Sequence, residues 1–347
     1  MSSVPTPAGV TGIVILNYNG WQDTIGCLKS VMRIREPIRA IVVDNASPDE
    51  SERHLQAWGE SALPEINARR TRDGLPPFTF ERVAAGALPK AGGGTTLTLI
   101  QAGRNAGYAA GNNVGIRFAL AQGCDFVWIL NNDTVVEPDA LTWLLARVRE
   151  EPRIGLCGST LVYHARPEIV QALAGSRFRR WRGWGVEIGA GSMLAQRPEA
   201  HAIEGQLSYI NGASTLATRA FIETVGLMEE SYFLYWEEID WAYRARNRFK
   251  LGYAPKSVVH HKVGASIGTR HEGPQSALAE FYMIRGAILF CCRYSWVSLP
   301  GMLLGIARNM GRSALRGDWR WIGHQARAVA GRHYPSDRPG IPKRTAA

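Results

Sequence analysis

The sequence predicts an α/β protein: a mixed, mostly parallel sheet flanked by helices, with a C-terminal helical extension. Three observations carry this. Short, continuous apolar runs alternate with segments of helical period over the first 150 residues. Runs apolar at every position belong to strands buried on both faces, and alternation with helices makes them parallel. Each run ends in Asn, Asp or Gly, and beyond about residue 276 the strand signal gives way to helical, basic sequence.

The elements follow in order. Val10–Leu16 is a buried strand after a Pro-containing start, and Ile25, Leu28, Val31 and Met32 mark the helix behind it. Ile38–Val43 is the second strand, so the first 44 residues form a β-α-β unit. Residues 60–94 hold Pro64, Pro76, Pro77, Pro89 and three consecutive glycines, and read as a weakly structured insertion. Thr96–Gln101 resumes strand character, Ala106–Gln122 is helical, and Asp125–Leu130 is a further buried strand. Pro138 suits the first turn of a helix reaching about Glu150. Past Gly155 the expected strands are Leu156–Val162, Ser208–Ala217 and Tyr253–His260. An Arg/Trp/Gly-rich loop lies at Arg177–Gly191, and a helix covers Ile239–Arg248. This divides the chain into a tail (1–9), a doubly wound first half (10–150), a second half (151–275) and a basic helical extension (276–347).

The net charge of +10 is unevenly placed. Residues 277–347 hold 11 Lys+Arg against 3 Asp+Glu, so the body is nearly neutral. A basic groove for nucleic acid through the core is therefore not expected. The five cysteines are odd in number and include no CxxC, which indicates neither a disulfide framework nor a zinc site and fits a reducing compartment. Met1–Gly9 lacks a signal-peptide pattern. Gly286–Ala307 is long enough to span a membrane but is interrupted by Arg293 and Pro300.

In open parallel sheets, ligands bind at the carboxyl ends of strands. Four successive strand ends here carry Asn17-Tyr18-Asn19-Gly20, Asp44-Asn45, Gly103-Arg104-Asn105-Ala106-Gly107 and Asn131-Asn132-Asp133. One Asn-rich turn is ordinary turn chemistry; four on one edge point to a ligand. The ligand-site candidates at this edge are Asn17, Tyr18, Asn19, Asp44, Asn45, Asn105, Gly107, Asn112, Asn131 and Asn132. Asp44 can accept from a base N–H or a ribose hydroxyl, or serve as an Asx-turn. Gly107, Gly111 and Gly115 recur every four residues, which serves either helix packing or close approach to a ligand. Asp133, just beyond a buried strand, suits a hard divalent cation bridging a pyrophosphate. No GxGxxG or GxxxxGK[ST] fingerprint occurs.

Seven segments in order resemble the family 2 glycosyltransferases of GT-A fold, most closely the bacterial rhamnosyltransferase-type members. They are ILNYNG (15–20), VVDNASPDES (42–51), NAGYAAGNNVGI (105–116), ILNNDT (129–134), YINGAS (209–214), FLYWEEIDWAYRAR (233–246) and VVHHKVGAS (258–266). The resemblance covers roughly residues 10–270. It implies a GT-A-type, Rossmann-like sheet and inverting sugar transfer from a nucleotide sugar, with dTDP-rhamnose leading and UDP-sugars such as UDP-galactofuranose following. It implies that Asp44 and the Asn17–Asn19 turn hold the nucleoside, and that Asn131-Asn132-Asp133 stands at the Asp-x-Asp metal motif. With Asn131 in place of the first aspartate, Asp133 is the expected ligand of Mg²⁺ or Mn²⁺, joined by His261 or His260. The family's general base maps to Glu238, where Glu replaces Asp, with Asp240 as runner-up. Asn211, Gly212, Trp236 and Glu237 fall on the acceptor side. Arg177, Arg179, Arg180 and Arg182, interleaved with Trp181 and Trp184, suit an acceptor pyrophosphate or lipid headgroup.

The expected partners are a nucleotide-sugar donor, a glycan or lipid-linked saccharide acceptor and an anionic membrane surface met by the basic extension, with no nucleic acid. The expected place is cytoplasmic, peripheral at the inner face of the plasma membrane. The Asn131 and Glu238 departures leave open a catalytically silent nucleotide-sugar-binding module. A nucleotidyltransferase is disfavoured, because no Gly-rich, Arg/Lys-containing loop follows the first strand.

Overall fold

The computed structural model describes residues 9–87, 94–181, 183–262 and 276–331. The first strands and helices are β1 (Thr11–Asn17), α1 (Trp21–Val31), β2 (Ile38–Asp44), α2 (Ser51–Arg72), β3 (Phe78–Ala84), β4 (Thr95–Gln101), α3 (Tyr108–Ala121), β5 (Phe126–Asn131), β6 (Thr134–Val136) and α4 (Ala140–Glu150). Then come β7 (Ile154–Tyr163), β8 (Arg166–Leu173), β9 (Gly175–Arg179), β10 (Trp184–Glu187), α5 (Ala200–Glu204), β11 (Tyr209–Ile210), β12 (Ser214–Thr218), α6 (Arg219–Val225), α7 (Glu237–Ala245) and β13 (Lys250–His261). The extension is α8 (Ala277–Tyr294), α9 (Leu299–Leu315) and α10 (Trp319–Val329).

Ten strands make one mixed sheet in the order β3-β4-β2-β1-β5-β12-β7-β13-β6, with β8 paired to β7. From β3 to β5 all pairings are parallel, as the unbroken apolar runs require. β12 enters antiparallel between β5 and β7. Residues from both halves of the chain therefore build one sheet, and β5 and β12 meet at its centre. Cores lie on both faces: one under α1, α2 and α4, the other under α3, α6 and α7. Gly111 and Gly115 serve packing, since a Cβ at either would overlap Leu16 or Val14 of β1.

Residues 60–87 of the expected insertion are more ordered than Pro64, Pro76 and Pro77 suggest. α2 runs through Pro64 because Leu55, Gly59 and Leu63 bury one stripe, with Gly59 against Phe80. Buried Arg70 then donates to the carbonyls of Met32, Ile34 and Pro76, fixing the helix end. β3 adds the edge strand. Residues 88–93 of this segment lie outside the described residues.

The expected Arg177–Gly191 loop is a hairpin, β9–β10, completed by β11 into a small sheet; Arg182 lies outside the described residues. The expected strand Ser208–Ala217 splits into β11 and β12 around Asn211-Gly212-Ala213. Gly286–Ala307 is divided between α8 and α9, which pack on a third core with Tyr232, Trp236 and Ile239. No helix among the described residues is long and apolar enough to cross a membrane.

Candidate active site

A pocket of about 860 Å³ opens at the carboxyl ends of the central strands, and its size suits a nucleotide-sized ligand. It gathers Tyr18, Asn45, Asn105, Gly107, Asn131, Asn132, Asp133, Asn211, Gly212, Trp236, Glu237, Glu238 and His261. All thirteen are sequence candidates; strand-end turns of the parallel half bring the first seven to one edge, and the β11–β12 turn, the start of α7 and the end of β13 bring the rest.

Asn45 is buried at the rim of this pocket. Its Nδ2 donates to Asn105 Oδ1 (3.0 Å) and to the Gly107 carbonyl (3.2 Å), while its Oδ1 has no partner among the described residues. A buried acceptor without a donor is costly, and a ligand N–H or O–H would satisfy it. Asp44 does not reach the pocket. Its carboxylate is fully buried and accepts from Asn17 Nδ2, Ser47 N, Ser47 Oγ and Gln101 Nε2. With those lone pairs engaged, Asp44 shapes the turn that presents Asn45. Asn17 is likewise buried behind the turn, tied to Asp44 and Thr24. Asn19 is exposed, its backbone N–H held by Ser47. Asn112 points into α3 and donates to the Tyr108 carbonyl.

Asp133 follows β5 by two residues, and His261 ends β13. Successive strand residues face opposite sides, so His260 and His261 cannot both face the pocket. His261 does: its Nε2 lies 3.2 Å from Asp133 Oδ1. His260 turns away and pairs with Glu137 at 2.8 Å, which removes it from the candidate ligands. Burial pushes the Asp133 carboxyl up, but hydrogen bonding to His261, its charge and Lys262 outweigh that and hold it below the usual range.

The donor set can be tested for a divalent cation. His261 Nδ1 lies 2.9 Å from Gln171 Oε1. With that carbonyl accepting, Nδ1 carries a hydrogen, and Nε2 is left facing Asp133 to share either a proton or a cation with it, as in metal-ligating histidines. Two acceptors 3.2 Å apart need a proton or a metal ion to reconcile them. Among the described residues no three His, Cys, Asp or Glu side chains gather as a full cage. An Asp–His pair therefore fits a cation whose other ligands come from a diphosphate and water.

The same pocket is lined by two carboxylates from the start of α7. The loop before it holds Phe233, Tyr235 and Trp236 at φ of 67°, 65° and 76°. Left-handed backbone at bulky residues costs about 1–3 kcal/mol each and persists where surroundings over-determine it. Here Phe233 O accepts from Tyr108 N (2.6 Å), the Phe233 ring stacks on Tyr282, and Trp236 Nε1 donates to Met283 O (2.9 Å). Gly107 permits the first contact: it has φ +96°, and a Cβ there would overlap Phe233 O.

This strained loop seats Glu238 against Gly212, where a Cβ would overlap Glu238 Oε1. Burial pushes the Glu238 carboxyl up to about 7, against backbone N–H groups of Glu238 and Gly212 that pull it down. Glu237 is raised well above the usual range by burial and then by the charge of Glu238, and its Oε2 has no partner. The Tyr108 hydroxyl lies within hydrogen-bond reach of Gly212 O (2.9 Å) and Asn131 Oδ1 (3.1 Å). Asp240 lies outside the pocket. It is fully buried, bonded to Arg244 Nε (2.7 Å) and Tyr232 Oη (3.0 Å), and cannot reach an acceptor hydroxyl. Trp236 lines the pocket but mainly packs against Phe178 and Phe290.

Tyr108, Gln171, Glu187 and Tyr209 also line the pocket, although no sequence pattern gave them a role, and Trp184 of the Arg/Trp-rich segment joins them. Tyr108 and Tyr209 stood inside quoted segments without a role. Gln171 and Glu187 sit on β8 and β10, whose approach depends on antiparallel pairing that no local pattern announces. Glu187 is a third carboxylate, raised by burial.

The chain was compared with known protein families, curated proteins and solved structures. Residues 87–201 match the model of glycosyl transferase family 2. That match spans about a third of the chain, so it marks this segment as similar to the family. A low-salt glycan biosynthesis hexosyltransferase, Agl10 of Haloferax volcanii, is 25% identical over 150 residues, which is 42% of this chain and 45% of that protein. The chain thus aligns with less than half the length of that curated relative. The mannosyltransferase PcManGT from Pyrobaculum calidifontis, solved with GDP-Man and Mn²⁺, superposes with a TM-score of 0.51 at 13% identity, covering 94% of this chain and 86% of its own. GalNAc-T7, solved with UDP, GalNAc and Mn²⁺, superposes with a TM-score of 0.51 at 17% identity, covering 81% and 48%. At these identities the structural likeness speaks for the fold, which is GT-A-type.

Proposed function

We propose that the chain is an inverting glycosyltransferase that moves a sugar from a nucleotide diphosphate sugar to a hydroxyl of a glycan or lipid-linked saccharide. The observation that carries this is the pocket that the Asp133–His261 pair and Glu238 line together. Residues 10–150 supply the donor side and residues 151–275 the acceptor side. The leading donor is dTDP-rhamnose, with UDP-linked sugars next.

The mechanism follows from the residues. Asn45, Asn105 and Tyr18 line the donor's end, where the free Asn45 Oδ1 accepts a donor N–H or O–H. Asp133 and His261 would hold Mg²⁺ or Mn²⁺, which when bound offsets the negative charge of a departing diphosphate. Glu238 takes the proton of the acceptor hydroxyl, and its carboxyl near 7 suits a base at neutral pH. Glu237, whose Oε2 has no partner among the described residues, stands beside it for a hydrogen bond with the acceptor. Closed in this way, the pocket favours in-line attack on C1 from the face opposite the diphosphate.

The extension supports contact with an anionic membrane surface. Trp296, Leu304, Leu315 and Trp319 are each at least 70% exposed, with Arg308, Arg312 and Arg316 among them.

A panel of UDP-, dTDP- and GDP-sugars with Mn²⁺, read by thermal shift and nucleotide release, tests the reading. One nucleotide should raise the melting temperature by mass action and turn over with an acceptor. Binding of a nucleotide sugar without release under every acceptor would favour the silent binding module instead.

A further inference from the structure

A second hollow adjoins the active-site pocket. It is a cleft of about 460 Å³ between β10, α8 and α9. Trp184 and Met283 line both cavities, so the cleft and the pocket are neighbours across these side chains. The cleft has two kinds of wall. Met283, Ile284 and Ile306 are apolar; Arg308 and Arg312 stand one turn apart on α9, on the same side.

The arginines are available for a ligand. Both are exposed and neither makes an ion pair among the described residues. Glu280 also lines the cleft, but Asn309 and Gln325 occupy its Oε1, and burial raises its carboxyl. Its hydrogen bonds run to these two amides and not to either arginine. Gly305 keeps the cleft open: a Cβ there would meet only Trp184 Nε1, at 3.8 Å. Leu304, Arg308 and Arg312 fall on one stripe of α9, which leads from the cleft to the exposed Leu304 side chain.

Two adjacent guanidinium groups beside an apolar wall fit a phosphate joined to an alkyl chain. Resting on the glycosyltransferase reading, we propose that this cleft is the acceptor's carrier subsite. It binds an amphiphile whose saccharide is linked through phosphate to an alkyl chain. Arg308 and Arg312 hold the phosphate, the Met283–Ile284–Ile306 wall takes the adjoining chain, and the saccharide passes Trp184 to reach Glu238.

The test uses the full chain and dodecyl phosphate below its micellar concentration, followed by isothermal titration. Inorganic phosphate and dodecyl maltoside provide the charge alone and the chain alone. Dodecyl phosphate should bind at least tenfold tighter than either. Arg308→Ala/Arg312→Ala should weaken it at least tenfold. Gly305→Leu, which fills the cleft and keeps both charges, should weaken it similarly. The proposal is overturned if the double variant binds dodecyl phosphate like wild type, or if either control matches it. Nucleoside diphosphate binding with Mn²⁺, measured on the same samples, should be unchanged in all variants. If no nucleotide binds to any of them, the glycosyltransferase reading fails; if nucleotide binds and the dodecyl phosphate arms fail, only the carrier subsite does.

Discussion

Replacing Glu238 with Gln separates its chemical use from its effect on stability. Its carboxyl rises from 4.5 to about 7 on folding, chiefly through burial. A group whose folded value is raised favours the fold while protonated, and that benefit is lost as pH rises through the folded value. Wild type therefore loses stability between about pH 4.5 and 7. The displacement corresponds to about 3 kcal/mol above that window, as an order of magnitude. Gln keeps the shape and the acceptor oxygen but does not ionise. Glu238→Gln should melt several degrees above wild type at pH 8, and the difference should vanish toward pH 4. The same variant should lose about 100-fold or more in kcat, the usual worth of a general base. In wild type, kcat/KM should rise with pH and level off above about 7. Calorimetry across pH 4–8 and initial rates on the same protein decide the matter. A variant that keeps most of its turnover refutes the base assignment. A melting difference that does not depend on pH refutes the account of its burial.

Gly212→Ala should displace the Glu238 carboxylate, because its Cβ would occupy the Oε1 position; a large drop in kcat with unchanged nucleotide binding and circular dichroism is expected. Asp133→Ala should abolish Mn²⁺-dependent nucleotide binding while leaving the melting temperature of the metal-free protein close to wild type, and strong turnover in chelator would contradict the role given to Asp133. Asp240→Asn should destabilise the fold by about 3 kcal/mol, since it strips charge from the Arg244 pair. Its kcat per folded molecule should stay within a few fold, and a folded but inactive Asp240→Asn would reinstate it as the base. Trp296→Ser/Leu304→Ser should weaken binding to anionic vesicles in a flotation assay, with donor binding unchanged.

Much of this arrangement is legible in the sequence because parallel strands deliver their last residues to one edge. Asn45, Asn131, Asp133 and Glu238 were found that way or by resemblance, and they share one pocket. The alternation of a strand decides between His260 and His261, but only once its pairing is known. Asp44 misled for a physical reason: a carboxylate at a strand end can serve the ligand or the turn, and here four hydrogen bonds commit it to the turn. Pro64 misled in the opposite direction, since tertiary burial of Leu55 and Leu63 holds α2 together through it. Gln171 and Glu187 were out of reach, because strands of the second half carry them into the pocket from the side.

The tie between α3 and the loop ahead of α7 bears on how such proteins can be recombined. Tyr108 N donates to Phe233 O, and Asn113 bonds the backbone N–H and carbonyl of Met228 and the Glu230 carboxylate. Residues near 105–113 and 228–238 thus form one interlocked unit, although more than a hundred positions separate them in the chain. A chimera that takes its donor side from one homologue and its acceptor side from another would cut this unit at both ends. Changes of sugar specificity should therefore be inherited as matched pairs of segments, and grafts that carry both should survive where single grafts do not.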